Sequence, residues 1–466
     1  MRQTLRSLST ALALLFCAGN LPQGAAQAGS RATSFTLANG LQLVVIPDHR
    51  LPVVTHMVFY RAGSADDPPG QSGLAHYLEH LMFKGTVRYP TGTYDLMVTR
   101  AGGTNNAYTS TDKTYYYEQF LAEALPRIMD LNADRMAGLA FAPSEAASEL
   151  KVVDDERRSY DNDPDSVLAL KVGRALYAGG PYAHPVIGET NELSHLTLDA
   201  ALAFHRSHYG PATAIVVVAG DVEPAAVFAL AQTTYGHLPG GAASVSNLAD
   251  VPLSACADGR IVEHSSRLTR TQISQYYLTP GSAHLGLRTA AALELLANIL
   301  QSEVTSPLWD DLVTQRHLAS DLGVGHDLRI GAGEFSINVE TAEGIAPERL
   351  ERALDAAMRG VRRDGIDAEA LAIAKRRWLS DHVLSSDDQL GEATRYGEQL
   401  AAGRTVAEIE SEPDVIAAVT LPDINGVLAK FVSNHCYLTT VLAPEAGSAE
   451  NATPSKAFLH PAMAVH

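Results

Sequence analysis

The hydrophobic pattern of the first part of the chain predicts strands followed by a helix. Residues 34–37 and 41–46 alternate like β-strands around Asn39-Gly40, a dipeptide typical of a tight hairpin turn. Residues 53–60 form a third apolar and β-branched run. Residues 73–85 instead carry apolar side chains at helical spacing and end on a lysine and a glycine, which predicts one helix.

The pattern then predicts more helices around one polar strand region. A helix is expected near residues 94–101, and two glycines end it. Residues 102–118 are rich in Thr and Tyr, which favours strand. Because so many of them are polar, we expect an edge strand that could pair with an extended peptide, with a solvated hairpin as the alternative. Further helices are predicted at 121–139 and 144–160.

One order of elements occurs twice. A helix at 201–208 precedes an apolar strand at 214–221, and a helix at 424–432 precedes a strand at 437–442. The two copies lie about 220 residues apart, which indicates homologous halves. We therefore expect an α/β (α+β) fold with two homologous domains, each a mostly antiparallel sheet with helices packed on one face.

The predicted division of the chain follows from this repeat and from one stretch of small, turn-forming residues between the copies. It consists of a signal peptide at 1–28, an N-terminal domain at 30–240, a linker at 241–258, a C-terminal homologous domain at 259–450 and a tail at 451–466.

The first 28 residues have the features of a secretory signal peptide. Arg2 and Arg6 precede an apolar run at 8–18 that is too short to span a bilayer comfortably, and Ala26-Gln27-Ala28 is an A-x-A cleavage site. An N-terminal membrane anchor is the alternative. No later stretch is long and apolar enough for a membrane span. We therefore expect an exported protein, periplasmic or secreted.

The net charge indicates which classes of partner the protein could bind, and the cysteine content allows one disulfide. Without residues 1–28 the chain would keep 33 basic and 53 acidic residues, a net charge of −20 in place of −18. Nucleic acid and anionic lipid are therefore poor partners, whereas a cationic peptide would be attracted. Cys256 and Cys436 would remain, and could form one disulfide in an oxidising compartment, although the sequence does not show whether they are close.

The predicted helix at 73–85 carries candidate metal chemistry. His76 and His80 are four residues apart and project from one face, so both imidazoles could hold a single Zn²⁺. Glu79 lies on nearly the same face, where it could take a proton from a water bound to the metal. The order H-x-x-E-H inverts the usual zinc-protease pattern. On this pattern alone, an amphipathic helix with two ordinary histidines remains an alternative.

A second helix carries two acidic residues on an apolar face. Glu149, Val152, Val153 and Glu156 fall at i, i+3, i+4 and i+7. Carboxylates on such a face are unfavourable unless a cation pairs with them, and Zn²⁺ would be that cation. The alternative is a boundary position or a salt bridge to an arginine of another element.

Together these motifs resemble the pitrilysin, or inverzincin, family of zinc metallopeptidases. The resemblance covers nearly all of the chain after the predicted signal peptide. It rests on the H-x-x-E-H helix, on Glu156 located 76 residues after His80, on Glu149 seven residues before Glu156, and on the stretches 102–117 and 209–221.

The resemblance implies a role for each of these residues. Glu156 would complete a zinc site with His76 and His80, with one Zn²⁺ per chain. Glu79 would be the general base, and Glu149 a supporting carboxylate of the catalytic site.

The polar strand would bind substrate. Asn106, Ala107 and Tyr108 are similar to the family's edge strand, whose backbone pairs with the peptide. We therefore expect a substrate to add as a strand at Asn106, Ala107, Tyr108 and Thr109.

The sequence departs from the family in its second half. Active members carry an Arg and a Tyr seven residues apart in a stretch resembling L-R-E-x-x-x-L-x-Y, and these assist substrate binding. Val313 and Ser320 occupy those positions here, and Arg316 is out of register. Either a second, homologous subunit without the zinc motif supplies the pair, or the enzyme is weak or altered.

These observations predict a zinc-dependent endopeptidase that cleaves unfolded peptides. One pair of halves makes only half of the family's chamber, so we expect the chain to be the catalytic subunit of a dimer. A heterodimer with the zinc-less homologue is favoured, and a homodimer is possible. The alternative is a non-catalytic peptide-binding or assembly subunit of the same fold.

Overall fold

The computed structural model of the protein describes residues 31–177, 179–240, 248, 258–432 and 436–445. The predicted signal peptide, nearly all of the predicted linker and the predicted tail lie outside these residues, and the domain boundaries stay a prediction.

The first half contains one six-stranded sheet and the helices that pack on it. Its strands are β1 (Thr33–Thr36), β2 (Gln42–Pro47), β3 (Val53–Tyr60), β4 (Thr104–Thr109), β5 (Thr114–Leu121) and β6 (Ala214–Gly220). Its α-helices are α1 (Leu74–Leu81), α2 (Thr93–Arg100), α3 (Leu125–Ala137), α4 (Pro143–Asp161), α5 (Pro164–Leu176), α6 (Thr190–Leu193), α7 (Leu198–His208) and α8 (Pro224–Thr234). Short 3₁₀ helices cover Ser64–Asp66, Ala122–Ala124 and Pro181–Ala183.

The second half repeats this plan. Its strands are β7 (Gly259–Ser265), β8 (Gln272–Pro280), β9 (Ala319–Leu328), β10 (Ala332–Thr341) and β11 (Leu438–Pro444). Its α-helices are α9 (Leu287–Gln301), α10 (Pro307–Trp309), α11 (Pro347–Asp364), α12 (Ala368–Ser385), α13 (Gln389–Ala401), α14 (Val406–Glu410), α15 (Glu412–Ala418) and α16 (Leu421–Phe431). A π-helical turn covers Asp310–Gln315.

Apart from β1, which has no equivalent in the described second sheet, the two sheets share one topology. The first has the order β1-β2-β6-β3-β5-β4 and the second the order β7-β11-β8-β10-β9. In each sheet one neighbouring pair is parallel, β2 with β6 and β7 with β11, and the other pairs are antiparallel. The predicted fold class is therefore confirmed, and β4 and β9 are equivalent edge strands.

The hairpin signal at Asn39-Gly40 is also confirmed. Strand β1 pairs with β2 in antiparallel register, and Thr36 lies opposite Gln42. Gly40 adopts a φ of +93°, a left-handed conformation that glycine reaches without strain.

Strand β6 shows why some strands of this chain are apolar throughout. All seven of its residues are buried. Val216 and Val218 join the core formed with the helices of the first half, whereas Ile215 and Val217 face the opposite side. A continuous apolar run is typical of a strand whose sheet is covered on both faces.

The halves cover each other's sheets by exchanging helices. On the first sheet the second face is covered by α13, whose Tyr396 and Leu400 pack with Ile215 and Val217. On the second sheet α5 has the matching position, with Leu168 beside the β11 core residues. On each sheet one face carries helices of the same half, as predicted, and the other face is covered by a helix of the other half.

Two further findings concern the cysteines and the helices. Cys436 is disulfide-bonded, and Cys256 lies outside the described residues. Among the helices that are described, none combines the length and the apolar character that a membrane span requires.

Candidate metal centre

Helix α1 is held at both ends by side chains from elsewhere in the chain. At its start, Asp67 accepts the backbone N–H groups of Gly73 and Ala75, each at 2.8 Å. Gly73 has a φ of +87°, and a Cβ there would lie 2.8 Å from the Ile187 carbonyl oxygen. At its end, Arg135 Nη1 donates to the Met82 carbonyl at 3.4 Å. The helix is shorter than predicted, because regular helix stops at Leu81.

The two histidines of α1 lie side by side, as the i, i+4 spacing predicts. The His76 and His80 ring centroids are 4.8 Å apart at an interplanar angle of 70°. Both side chains are largely shielded from solvent, with 11% and 14% of their area exposed. The rings therefore present nitrogen atoms to one common point rather than to bulk water.

Helix α4 brings a carboxylate to the same point. The Tyr77 hydroxyl of α1 donates to the Ala146 carbonyl of α4 at 2.8 Å, which fixes the two helices against each other. Almost three turns further along α4, Glu156 Oε2 lies 3.4 Å from His80 Nε2 and 3.8 Å from His76 Nε2. One ligand atom from each of these three residues lies within 4.8 Å of the others.

This donor set fits Zn²⁺. Protein ligands bind zinc at about 2.0–2.1 Å in tetrahedral geometry, so two ligand atoms on one ion lie roughly 3.4 Å apart. The distances from Glu156 to the two imidazoles are 3.4 and 3.8 Å. Two neutral imidazoles and one carboxylate would leave a fourth position for water or substrate, as in catalytic zinc sites.

Glu149 lies behind His80. Its Oε1 is 3.0 Å from His80 Nδ1, while its Oε2 pairs with the Lys84 ammonium group. Contact through Nδ1 directs the opposite ring nitrogen, Nε2, towards Glu156. This is the arrangement by which an outer carboxylate orients a histidine ligand.

The pKa values at this cluster show that it favours positive charge. Burial would lower the pKa of His80, but hydrogen bonds to Glu149 and Glu156 outweigh it and raise that pKa to about 9. Burial likewise opposes ionisation of Glu149, yet contacts with His80 and Lys84 lower its pKa. The carboxylates thus create a field that a cation would neutralise.

The apolar face predicted around Glu149 and Glu156 is only partly present. Val153 is fully buried, whereas 43% of Val152 is exposed. The two carboxylates are partly buried by α1 and its side chains rather than by a continuous apolar layer. The spacing correctly placed both acidic groups on one face, but contacts with His80 and Lys84 explain their position better than the valines do.

Glu79 points to the edge strand. Its Oε2 accepts a hydrogen bond from the Thr109 hydroxyl of β4 at 2.5 Å. Both residues are buried, with 7% of Glu79 and 6% of Thr109 exposed. The structure therefore joins the candidate base to one of the four residues predicted to bind substrate.

The other three predicted substrate residues lie along the same strand. β4 pairs only with β5 in the described sheet, so its second edge is the end of that sheet. Asn106 and Tyr108 are partly exposed, Ala107 is buried, and the Ala107 N–H donates to Asn106 Oδ1 at 2.9 Å. A peptide that paired with this N–H would have to displace the Asn106 side chain.

Val313 and Ser320, at the positions of the missing Arg–Tyr pair, direct their side chains into the second half. Val313 packs against the apolar core of that half. Ser320 donates to Glu340 Oε1 at 2.9 Å and lies 3.3 Å from the Thr341 carbonyl oxygen. Between them His317 adopts a φ of +50°, which is uncommon for a residue with a side chain. Neither Val313 nor Ser320 brings an Arg- or Tyr-like donor to the histidines.

Sequence reasoning missed three residues that organise the site. They are Asp67, which accepts backbone N–H groups at the start of α1, Lys84, which pairs with Glu149, and Arg135, which donates to the Met82 carbonyl at the end of α1. The acidic residue seven positions before Leu74, where α1 begins, and the lysine four positions after His80 were visible signals. The contact between Arg135 and α1 joins residues far apart in sequence and had no local signal.

Comparison with known proteins shows which family the chain resembles. A sequence profile described as Insulinase (Peptidase family M16) matches residues 43–190, and one described as Peptidase M16 inactive domain matches residues 195–377. The zinc protease PqqE of Helicobacter pylori is 29% identical over 374 residues, which cover 77% of this chain and 81% of that protein. An uncharacterized zinc protease of Mycobacterium bovis is 30% identical over 423 residues, covering 88% and 92%.

Solved structures show the same fold. A protease from Helicobacter pylori superimposes with a TM-score of 0.79 at 26% identity, covering 89% of this chain and 99% of that one. Pitrilysin superimposes with a TM-score of 0.77 at 18% identity, covering 90% of this chain and 45% of that one. Because both profiles match in order and relatives named zinc proteases align over most of their length, the chain belongs to the M16 peptidase family, the insulinase or pitrilysin family.

Proposed function

We propose that the protein is a zinc-dependent endopeptidase that cleaves unfolded peptides. The observation that carries this proposal is the convergence of His76, His80 and Glu156 within 4.8 Å, next to the buried carboxylate of Glu79. The names of the relatives support zinc and proteolysis.

The residues around the site would divide the chemistry. His76, His80 and Glu156 would hold one Zn²⁺. When bound, the ion would act as a Lewis acid on the peptide carbonyl and lower the pKa of a water in its open position. Glu79 accepts a proton from the attacking water and returns it to the leaving amine. Glu149 keeps the His80 ring in the orientation that presents Nε2.

An extended peptide would bind by adding a strand to β4. The strand lies at the end of its sheet, and its Thr109 contacts the candidate base, so a peptide on that edge would lie beside Glu79. A substrate segment must be extended to pair with this edge, and an unfolded peptide can adopt that conformation along its length, so unfolded peptides are the proposed substrates.

We further propose that the chain works as the zinc-bearing subunit of a dimer. Val313 and Ser320 leave the second half without the donors that assist substrate binding, and their side chains engage their own half. Pitrilysin is about twice as long as the region it shares with this chain, which covers 45% of it. A zinc-less homologous subunit would supply the missing pair, and a homodimer is the second possibility.

Export is proposed from the N-terminal pattern. Residues 1–28 combine a basic start, an apolar run and an A-x-A site. A disulfide at Cys436 suits an oxidising compartment. A structural relative, PqqL of Escherichia coli, is named a periplasmic protease.

The test is peptide cleavage by the zinc-loaded protein, alone and mixed with a homologue that carries the Arg–Tyr pair. Glu79→Gln should keep zinc and lower kcat by about 100- to 10 000-fold, because it removes the general base. Cleavage only in the mixture would support the heterodimer. Peptide binding without cleavage in either sample would favour a non-catalytic subunit, and full activity of Glu79→Gln would refute the assignment.

A further inference from the structure

The contact between Thr109 and Glu79 suggests a second role for the edge strand. Thr109 Oγ1 lies 2.5 Å from Glu79 Oε2, the distance of a hydroxyl that donates to a carboxylate. Because both residues are nearly inaccessible to water, this bond is not weakened by competing solvent.

Thr109 is well suited to hold a partner in place. It is β-branched, which restricts its χ1 rotation, and it lies in a ladder opposite Thr114 of β5. Thr114 is itself fixed, because its hydroxyl donates to the Ala62 carbonyl at 3.0 Å. The hydroxyl of Thr109 is therefore attached to a rigid part of the sheet.

The strand's alternation separates this residue from those that face solvent. Ala107 and Thr109 are buried, whereas Asn106 and Tyr108 are partly exposed. The Thr109 side chain thus points towards α1, and its hydroxyl is used by Glu79. A direct contact between this side chain and a peptide would require breaking that bond.

We propose that Thr109 is a positioning residue, which orients the Glu79 carboxylate towards the reacting water rather than binding substrate through its side chain. This inference rests on the proposed function, because it assumes that Glu79 is the general base. The strand then has two tasks: its backbone edge receives the peptide, and the Thr109 hydroxyl aligns the base with that edge.

The test compares Thr109→Val, which removes the hydroxyl at nearly constant shape, with Thr109→Ser, which keeps it. Thr109→Val should lower kcat about 10- to 100-fold with KM within about twofold, since proton transfer depends on correct geometry. Thr109→Ser should restore kcat to within about threefold of the wild type. Thr233→Val, the same change at an exposed position of α8, should leave kcat unchanged.

A second measurement separates positioning from substrate contact. In the inactive Glu79→Gln background, the Kd of an unstructured peptide should be the same with Thr109 or with Thr109→Val. A weaker Kd in that background would overturn the proposal in favour of side-chain contact with substrate. A loss of zinc or a large drop in Tm for Thr109→Val would overturn it in favour of a structural role.

The proposal can be decided even if the chain proves inactive. A crystal structure of Thr109→Val should show the Glu79 carboxylate rotated away from β4, and an unchanged carboxylate would refute the positioning role. Absence of cleavage by the wild type, alone and with a homologue, would instead refute the proposed function. The two failures are therefore distinguishable.

Discussion

The first helix and the edge strand of each half are equivalent in the fold and different in chemistry. Helix α1 buries His76 and Glu79, and Glu79 contacts Thr109 of β4. Helix α9, the matching element, buries nine residues that are all Ala, Leu or Ile, and its neighbour is β9. A cavity of about 340 Å³ lies between α9 and β9, and Glu294 and His326 contribute to its walls.

The polar groups described in the second half do not form a metal site. Glu294 accepts a hydrogen bond from Trp378 Nε1 at 2.5 Å, and burial raises its pKa. His326 interacts with Thr279 at 3.0 Å. Among the described residues, only His76, His80 and Glu156 form a group that could hold a metal. The comparison shows that the fold places a helix beside an edge strand, while the chemistry depends on which residues that helix carries.

The largest effect should follow removal of a zinc ligand. His76→Ala should lower bound zinc and peptidase activity together, by more than the about 10- to 100-fold produced when only an outer hydrogen bond is lost. Zinc content by mass spectrometry and peptide cleavage would be measured on the same sample. His326→Ala, the same substitution in the second half, should leave zinc content unaltered, and zinc loss there would contradict the comparison.

A smaller effect is expected for the carboxylate behind His80. Glu149→Gln keeps the shape of the side chain but weakens the contacts with His80 and Lys84, so zinc affinity should fall about 10- to 100-fold. Competition with a chelator of known affinity would measure it. Glu145→Gln is the control, because it removes the same charge near the start of α4 and retains the capping contact with the Ala142 N–H. Equal losses of zinc affinity in the two variants would indicate an effect of net charge rather than of the contact with His80.

Much of the fold could be predicted from the sequence, because local signals agreed with the final structure. The hairpin at Gly40, the apolar run of β6 and the repeated helix–strand order each depend on neighbouring residues. The exchange of α5 and α13 between the halves could not be predicted. It brings together helices and sheets that are far apart in sequence. The local indication of it was that β6 is apolar on both faces.

The candidate site was predictable where its residues share one helix or one spacing. His76 and His80 lie a turn apart, and Glu149 and Glu156 share a face of α4. The bond from Thr109 to Glu79 was not predictable, because it depends on how β4 meets α1. Thr109 was therefore assigned to substrate binding from its strand alone.

The packing of α13 on the sheet of the other half can be tested by adding a methyl group at one glycine. A Cβ at Gly397 of α13 would lie 1.9 Å from Phe59 of the first sheet, so Gly397→Ala should force the helix away. Overpacking costs about 1–3 kcal/mol, more than the about 1 kcal/mol that Ala gains over Gly within a helix. Urea denaturation should show net destabilisation.

Gly426 provides the control for that change. It lies inside α16, and a Cβ there would meet nothing within 4 Å. Gly426→Ala should therefore stabilise the protein by about 0.5–1 kcal/mol. Opposite signs for the two glycines would establish that α13 packs tightly on the sheet of the other half, whereas stabilisation by both would contradict that packing.

The smallest predicted effect is a loss of stability at low pH that is caused by one buried histidine in each half. Burial lowers the pKa of His205 and of His326 to about 4. In the unfolded chain the pKa returns to about 6.5, so between pH 7 and 5.5 the unfolded state binds protons that the folded state does not. The free energy of unfolding should therefore decrease as the pH is lowered from 7 to 5.5, by about 1 kcal/mol per histidine.

Replacement of either histidine should remove its share of that loss. His205→Gln can still donate to the Arg135 carbonyl, which now lies 3.1 Å from His205 Nε2, so stability at pH 7 should change little. Denaturation at pH 7 and 5.5 should show a shallower decline for each variant, and additive effects in the double variant because the sites lie in different halves. An unchanged decline in His205→Gln would mean that this imidazole is protonated in the folded protein. The two cores would then differ in charge as well as in metal-binding residues.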